Sequence, residues 1–280
     1  MQKKRFVALT LAFALVLTMF VGLSAEPVSA ASATYEVPVK IIYYSNEAND
    51  DVESIEKAVW KYAGSDTFTY NTKGYVTAQG SLKTKWTLKG SKRVKAKTGS
   101  KKLGSIARST YKSGKLKSVA FKLYNKKGKS IGKGTEKYSR AKGSKGWISK
   151  ISGKNGKIKY TVSYTYTFYS NGLPKTIKET SRVRGSKFVT TYGFNSNGFI
   201  ASIKTKYGTT KYIYKYAGVK PVERYVYDDG FLMSKEVLVY GGKYTKDKKT
   251  YIGTINTNFM NNVSSFVRDA LPPLYPWLAK

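Results

Sequence analysis

Any catalytic chemistry in this chain would have to use carboxylates, serines or lysines, because the sequence contains no histidine and no cysteine. Histidine-assisted serine or cysteine nucleophiles and the usual zinc sites are therefore excluded. Asp228 and Asp229 are adjacent and could act as an acid pair. They are followed by Gly230, however, and aspartate in such a turn serves local hydrogen bonding, so we interpret both as turn residues.

Three short motifs resemble catalytic or phosphate-binding signatures without matching them. Residues 109–112 have the form Ser-x-x-Lys and residues 97–99 are Lys-Thr-Gly, as in penicillin-binding proteins. Their order along the chain is reversed and no Ser-Asp-Asn accompanies them, so we treat them as chance matches. The glycine-rich stretch 128–134 lacks the spacing of a phosphate-binding loop. We therefore predict a protein that is not an enzyme and that uses no cofactor and no metal.

The strongest signal in the sequence is positive charge. The chain has 51 Lys and Arg against 16 Asp and Glu, and residues 81–160 contain 26 basic residues and a single acid, Glu136. Such a segment attracts polyanions. Lys outnumbers Arg 43 to 8, which favours diffuse attraction over bidentate recognition of defined phosphates. The predicted ligand-binding residues are Lys92, Arg93, Lys95, Lys97, Lys101, Lys102, Lys126, Lys127 and Lys129.

Two questions about this basic segment stay open at the level of sequence. The segment could be a solvated face that keeps an exported protein soluble, with no dedicated site. The aromatic residues near it could stack on sugars or bases, or they could belong to the core of the sheet. These aromatic residues are Trp86, Tyr111, Tyr124 and Trp147.

Alternating residues predict β-strands. In residues 160–168, tyrosine, valine and phenylalanine alternate with threonine and serine, the pattern of a strand with one apolar face and one wet face. Similar alternation occurs around Phe121, Tyr192, Ile203 and Tyr214. The joints between these segments place an aromatic residue before Asn or Asp and then Gly, which favours hairpin turns with a positive φ at the glycine.

These turns resemble the unit of the YD-repeat (RHS-like) proteins, which has the form Tyr-Asp-x-x-Gly-x-Leu. The resemblance covers residues 66–235, and the Tyr-Asp pair itself is kept at Tyr227 and Asp228. It implies a secreted bacterial β-repeat protein. The cocoon-forming toxins of that family have many more repeats than this chain, so we do not expect an enclosed cargo.

The residue patterns of two segments predict helices that flank the sheet. Residues 50–62 begin with an Asp-x-x-Glu capping pattern and place Val52, Ile55 and Val59 on one face. Residues 255–267 keep a helical spacing of apolar residues before the two prolines at 272–273. The tail 274–278 is unusually apolar, and it either packs into the core or docks to a partner.

Residues 1–30 have the three parts of a secretory signal peptide: a basic start, an apolar middle and a small-x-small end. We expect cleavage after Ala30, or else after Ala33, and the alternative is an uncleaved membrane anchor. No other segment is long and apolar enough to span a bilayer. The predicted organisation is a signal peptide (1–30), an N-terminal strand and short helix (31–66), a hairpin region (67–253), and a C-terminal helix with the apolar tail (254–280).

Together these patterns predict a mainly β protein, an antiparallel hairpin meander that forms a curled or open-barrel sheet with two short flanking helices. We expect it to be secreted or cell-wall associated in a bacterium, specifically a Gram-positive one. Its basic segment would bind teichoic acid, an acidic polysaccharide or extracellular nucleic acid. The alternatives are an enzyme that acts on an envelope polysaccharide through carboxylates, and a structural protein that docks through its C-terminal tail.

Overall fold

The computed structural model describes residues 33–48, 54–144, 146–246 and 248–256, and most of them lie in β-strands. Neighbouring strands are antiparallel throughout. In chain order the strands are β1 Tyr35–Asn46, β2 Trp60–Tyr70, β3 Val76–Gln79, β4 Leu82–Lys89, β5 Lys92–Ser100, β6 Ser105–Lys112, β7 Lys115–Tyr124, β8 Ser130–Ser139, β9 Lys150–Asn155, β10 Ile158–Phe168, β11 Pro174–Val183, β12 Ser186–Phe194, β13 Ile200–Lys204, β14 Thr209–Ala217, β15 Lys220–Asp228 and β16 Phe231–Thr245.

The sheet closes into a barrel because the first strand pairs with the last. The ladder between β1 and β16 runs from the pair Tyr35 and Thr245 to the pair Ser45 and Ser234. The predicted curled or open-barrel sheet is therefore wrong, since the sixteen described strands leave no free edge. Closure has a physical advantage, because an exposed edge strand is a template for unwanted pairing with other chains.

The prediction of two flanking helices is wrong as well. In the described part of residues 50–62, a 3-10 turn at Ile55–Lys57 is followed by β2, which begins at Trp60. The α-helix of the described residues, α1, spans Lys248–Asn256 and packs into one end of the barrel. The rest of the predicted C-terminal helix, the apolar tail and the signal peptide lie outside the described residues.

The hairpin turns have the predicted chemistry. The side-chain oxygen of Asn195 accepts hydrogen bonds from the backbone N–H groups of Asn197 and Phe199, at 3.1 and 3.0 Å. Gly198 in the same turn has a φ of 87°, which glycine adopts without strain. An equivalent asparagine bond holds the turn at Asn125. This local chemistry converts the alternating segments into hairpins.

Inward-facing side chains form the hydrophobic cluster of the barrel. Sixteen strands are enough to enclose an aqueous channel. In this barrel, large side chains such as Tyr192, Phe121 and Ile151 are fully buried in the hydrophobic cluster. Their burial is the main source of stability, because a chain with no cysteine has no disulfides to contribute.

One end of the barrel, which we call the capped end, is covered by α1 and by the connection between β8 and β9. Ile252 and Ile255 of α1 are buried, and the Asn256 amide donates to the backbone carbonyl of Gly198 at 3.1 Å. Trp147, from the β8–β9 connection, is 1% exposed. The strand order places the turns 101–104 and 125–129 at the opposite end.

Candidate polyanion-binding face

Exposed cations project from the outer surface of β4–β9, and we call nine of them the basic face. Buried and exposed residues alternate along much of these strands, as expected for a sheet with one face in the core. The acid of this segment, Glu136, is 1% exposed and faces the interior, where the hydroxyls of Tyr138 and Tyr160 donate to its carboxylate. The basic face consists of Lys83, Lys85, Lys95, Lys97, Arg108, Lys122, Lys133, Lys137 and Lys154.

The strand register places several of these cations directly opposite one another. Lys97 on β5 lies between Lys85 on β4 and Arg108 on β6. Lys122 on β7 lies opposite Lys133 on β8. Strands are only about 4.8 Å apart, and directly opposed like charges destabilise a sheet. The basic face therefore concentrates positive charge at a cost to the stability of the fold.

Short side chains between the cations leave two adjoining depressions in this face. One, of about 620 Å³, lies over β4–β8, and the other, of about 500 Å³, lies over β6–β9. Arg108, Ala120 and Thr135 border both depressions. The two together form a shallow, solvent-open groove that crosses the strands and is lined with cations, a shape suited to an extended anionic chain.

The nine predicted ligand-binding residues lie in different parts of the barrel. Lys95 and Lys97 belong to the basic face, whereas Lys92 stands at the capped end beside the turn 90–91. Five others lie on turns at the opposite end, where the Lys101 ammonium is 5.6 Å from the ring centre of Tyr124. These five are Lys101, Lys102, Lys126, Lys127 and Lys129.

Arg93, the ninth predicted residue, faces the interior. It is 8% exposed, its guanidinium donates to the carbonyl of Gly114 at 3.4 Å, and it lies 5.4 and 5.2 Å from the ring centres of Tyr75 and Tyr111. The cause is a β-bulge, because the register between β4 and β5 skips one residue after Arg93 and so reverses the side to which it points. Its charge is not available to a ligand outside the barrel.

Three of the four aromatic residues near the basic segment pack in the core. Tyr111 and Trp147 are 6% and 1% exposed. The partly buried Trp86 packs against the same core, and its indole N–H donates to the carbonyl of Val76 at 2.7 Å. Of the four, only Tyr124 is left in a position to contact an outside ligand, and it stands beside Lys101 rather than on the basic face.

Sequence reasoning missed most of the basic face. The signal for it is a lysine or arginine at every second position of a strand, as at Lys83 and Lys85 or at Lys95 and Lys97. That period shows which residues share a face within one strand, but not which strands lie side by side. The missed residues are Lys83, Lys85, Arg108, Lys122, Lys133, Lys137 and Lys154.

The candidate catalytic residues do not form a site. Asp228 accepts a hydrogen bond from the Thr210 hydroxyl at 3.2 Å, and Asp229 accepts one from the backbone N–H of Thr209 at 2.7 Å, as turn residues do. Ser109 is buried inside the barrel, whereas the lysine at position 112 is exposed. Within the described ranges, no three acidic side chains are grouped so that they could hold a metal ion.

Several charged side chains of β14, β15, β16, β1 and β2 have oppositely charged or aromatic partners. We call these five strands the paired wall. Every ion pair found among the described residues lies on these strands or, in the case of Glu47, directly after β1, and one of the pairs is buried. Lys235 also lies 5.1 and 5.0 Å from the ring centres of Tyr44 and Trp60. The ion pairs are Lys61–Glu47, Lys215–Glu223, Lys220–Glu36 and the buried pair Arg224–Glu236.

No helix in the described part of the chain combines the length and the apolar character needed to cross a membrane.

The chain matches no protein-family model and no curated protein. Among solved structures, it is similar to a porin-like protein from Bacteroides vulgatus ATCC 8482, with 10% identity, a TM-score of 0.47, and coverage of 74% of this chain and 100% of the other. It is also similar to a porin-like protein from Bacteroides uniformis ATCC 8492, with 11% identity, a TM-score of 0.38, and coverage of 73% and 96%. Similarity at this level says nothing about function.

Proposed function

We propose that this protein is a non-catalytic component of the bacterial cell envelope, exported by its signal peptide, that binds an anionic polymer through the basic face. The observation that carries the proposal is the row of directly opposed cations, Lys85, Lys97 and Arg108, on neighbouring strands. None of the ion pairs among the described residues involves the basic face. Polymer binding supplies the missing negative charge.

Energetics favour a binding role over a merely solvated surface. A like-charge pair directly across two strands costs a few tenths of a kcal/mol up to about 1 kcal/mol, which alternating Lys and Glu would avoid. Solubility needs net charge, but it does not need cations to be stacked against each other. A polyanion in the groove removes the repulsion and releases counterions, so the cost is recovered when the polymer binds.

The basic face is a surface for water and not for lipid. A lysine or arginine on the lipid-facing side of a barrel strand costs about 2–4 kcal/mol near the middle of a bilayer, and this face carries nine such residues. The polymer we propose is therefore one of the water-exposed envelope: teichoic acid, an acidic polysaccharide or extracellular nucleic acid. A Gram-positive source and a relationship to YD-repeat proteins stay predictions.

Charge reversal on the basic face tests this function. The variant Lys85→Glu, Lys95→Glu, Lys97→Glu and Lys137→Glu changes only exposed side chains, and it spares Arg93, whose reversal would disrupt the interior. Each phosphate that the variant no longer neutralises should reduce the slope of log affinity against log salt by roughly 0.7–0.9. We expect retention on heparin and on purified teichoic acid to fall steeply in this variant.

The matched control reverses Lys211, Lys243, Lys246 and Lys248, four exposed lysines outside β4–β9. It has the same net charge as the first variant, and circular dichroism checks that both are folded. The control should keep most of its retention. Equal losses in the two variants would show that net charge alone is responsible and would overturn the proposal of a dedicated face.

A further inference from the structure

Arg108 stands out because arginine is scarce in this chain, and three of the five other described arginines make defined contacts. Of the 51 basic residues, 8 are Arg. Arg93 and Arg140 donate to backbone carbonyls, at 3.4 and 2.9 Å, and Arg224 binds the carboxylate of Glu236. The planar guanidinium holds two acceptor oxygens at once, which an ammonium group cannot do. In the interior, Arg224 uses that property, because its guanidinium donates both to the carbonyl of Ile255 and to the carboxylate of Glu236.

Arg108 is the arginine of the basic face, and its surroundings leave it accessible. It is exposed, and within the described residues its guanidinium has no hydrogen-bond or ion-pair partner. In the register it lies between Lys97 and Ala120, so it has a second cation on one side and only a methyl group on the other. It also borders both depressions of the groove.

Building on the polymer-binding function proposed above, we propose that Arg108 forms a discrete seat for one phosphate group of the polymer, above Ala120. The guanidinium donates two parallel hydrogen bonds to two phosphate oxygens. Lys97 and Lys122, on the two neighbouring strands, add charge from either side. The hydroxyls of Thr110 and Thr135, which line the groove, supply neutral donors. The rest of the basic face attracts the polymer without selecting a group.

The arrangement favours phosphate over carboxylate. The two oxygens of a carboxylate lie in one plane and are satisfied by a single guanidinium. A tetrahedral phosphate presents oxygens in several directions, and cations and hydroxyls surround this seat on several sides. The methyl side chain of Ala120, between Arg108 and Thr135, also matters, because a longer side chain at position 120 would occupy the place of the phosphate.

Arg108→Lys tests the seat because it keeps the charge and removes the planar fork. With polyphosphate as the probe, we expect binding to weaken by about tenfold, the size of one lost charge-assisted hydrogen bond. The slope of log affinity against log salt should not change, since the number of cations is the same. With a polyglutamate chain of equal charge, the loss should be smaller, because a planar carboxylate uses fewer of the donors around the seat and therefore occupies it less often. Lys137→Arg, elsewhere on the basic face, is the control for exchange between the two cations.

A second variant tests the position without touching a charge. Ala120→Phe fills the floor of the groove at an exposed site, so the core is undisturbed, and it should weaken polyphosphate binding as Arg108→Lys does. Ala217→Phe, at an exposed alanine on β14, should have no effect. Competition by a teichoic acid and by single-stranded DNA of equal phosphate content then identifies which phosphate polymer the seat prefers.

The outcomes separate this seat from the general function. If Arg108→Lys and Ala120→Phe bind polyphosphate as the unchanged protein does, while the fourfold reversal to Glu still abolishes retention, then polymer binding stands and the phosphate seat is rejected. If the variants weaken the binding of polyglutamate as much as that of polyphosphate, the site recognises anions in general and the phosphate assignment is rejected. If the unchanged protein binds none of these polymers, both proposals fall. Loss of polyphosphate binding in both variants, with the salt slope kept in Arg108→Lys, is the supporting result.

Discussion

The basic face and the paired wall are built from the same hairpins but treat charge in opposite ways. On the paired wall, several lysines and arginines meet carboxylates or aromatic rings, as with Lys220 and Glu36 or Lys235 and Tyr44. The hydrogen bond from Lys220 lowers the pKa of Glu36 and holds that carboxylate charged. On the basic face, cations meet other cations. The scaffold does not require this difference, and the polymer binding proposed above would account for it.

The largest expected effect comes from breaking the compensation of the paired wall. Glu236→Gln leaves the guanidinium of Arg224, which is 1% exposed, without its carboxylate. Removing one partner of a buried ion pair costs about 3–5 kcal/mol. Chemical denaturation should therefore show a large loss in the free energy of unfolding. Lys97→Gln on the basic face, which removes a charge that has no protein partner, should cause no loss.

A small effect of Glu236→Gln would mean that the tyrosines around Arg224 hold its charge without the carboxylate. The guanidinium carbon lies 5.6 and 6.0 Å from the ring centres of Tyr212 and Tyr214. The free energies of unfolding of Tyr212→Leu, Glu236→Gln and the unchanged protein would then be compared to measure the contribution of the rings.

Glu179 lies on β11, between the two regions, and the negative charge of its carboxylate is neutralised by a proton instead of by a cation. It is 2% exposed, and its carboxyl group accepts from the hydroxyls of Ser181 and Tyr192 at 3.0 and 3.5 Å. Burial raises the pKa of Glu179 well above the usual 4.5. The folded state thus keeps a proton that the unfolded state releases. The contribution of this proton to stability is fully present below pH 4.5 and is lost as the pH rises above that value.

The measurement is the difference in unfolding free energy between the unchanged protein and Glu179→Gln across that pH range. While the folded state holds one extra proton, each pH unit should cost the unchanged protein about 1.4 kcal/mol relative to the variant. Parallel curves for the two proteins would contradict a retained proton at this position.

How much the sequence could predict differs between local and long-range features. The hairpins were predictable because Asn195 and Gly198 bring their turn chemistry with them. Closure of the barrel was not predictable, because the pairing of Tyr35 with Thr245 joins the two ends of the strand region and leaves no local pattern in the sequence. The inward side of Arg93 was not predictable either, since a bulge is a property of two strands. The neighbours of Arg108 depend on register in the same way.

Turn glycines should show that the two regions share one scaffold. Gly128 serves the basic segment and Gly230 the paired wall, with φ of 74° and 100°, and an added Cβ would meet no atom within 4 Å at either position. Valine at either position should cost roughly 1–2 kcal/mol through backbone strain alone. Gly198→Val should cost more, because its Cβ would meet Ile252 at 2.9 Å. Thermal denaturation of the three variants checks this order, and a large difference between positions 128 and 230 would show that the scaffolds differ.

The smallest expected effect is a gain in stability, and it addresses the basic face directly. Lys97→Glu places a carboxylate between Lys85 and Arg108, so that two like-charge pairs become two ion pairs across neighbouring strands. The gain should be about 1 kcal/mol at low salt, and screening should reduce it as salt is added. Lys211→Glu, opposite Tyr227 and Ser202, gains no such pairs and is the control. Denaturation measures stability, and the salt needed for elution from heparin measures binding. A more stable Lys97→Glu protein that binds polymer less well would show that Lys97 is kept for binding at the expense of stability, whereas no gain in stability would mean that solvent already screens the repulsion on this face.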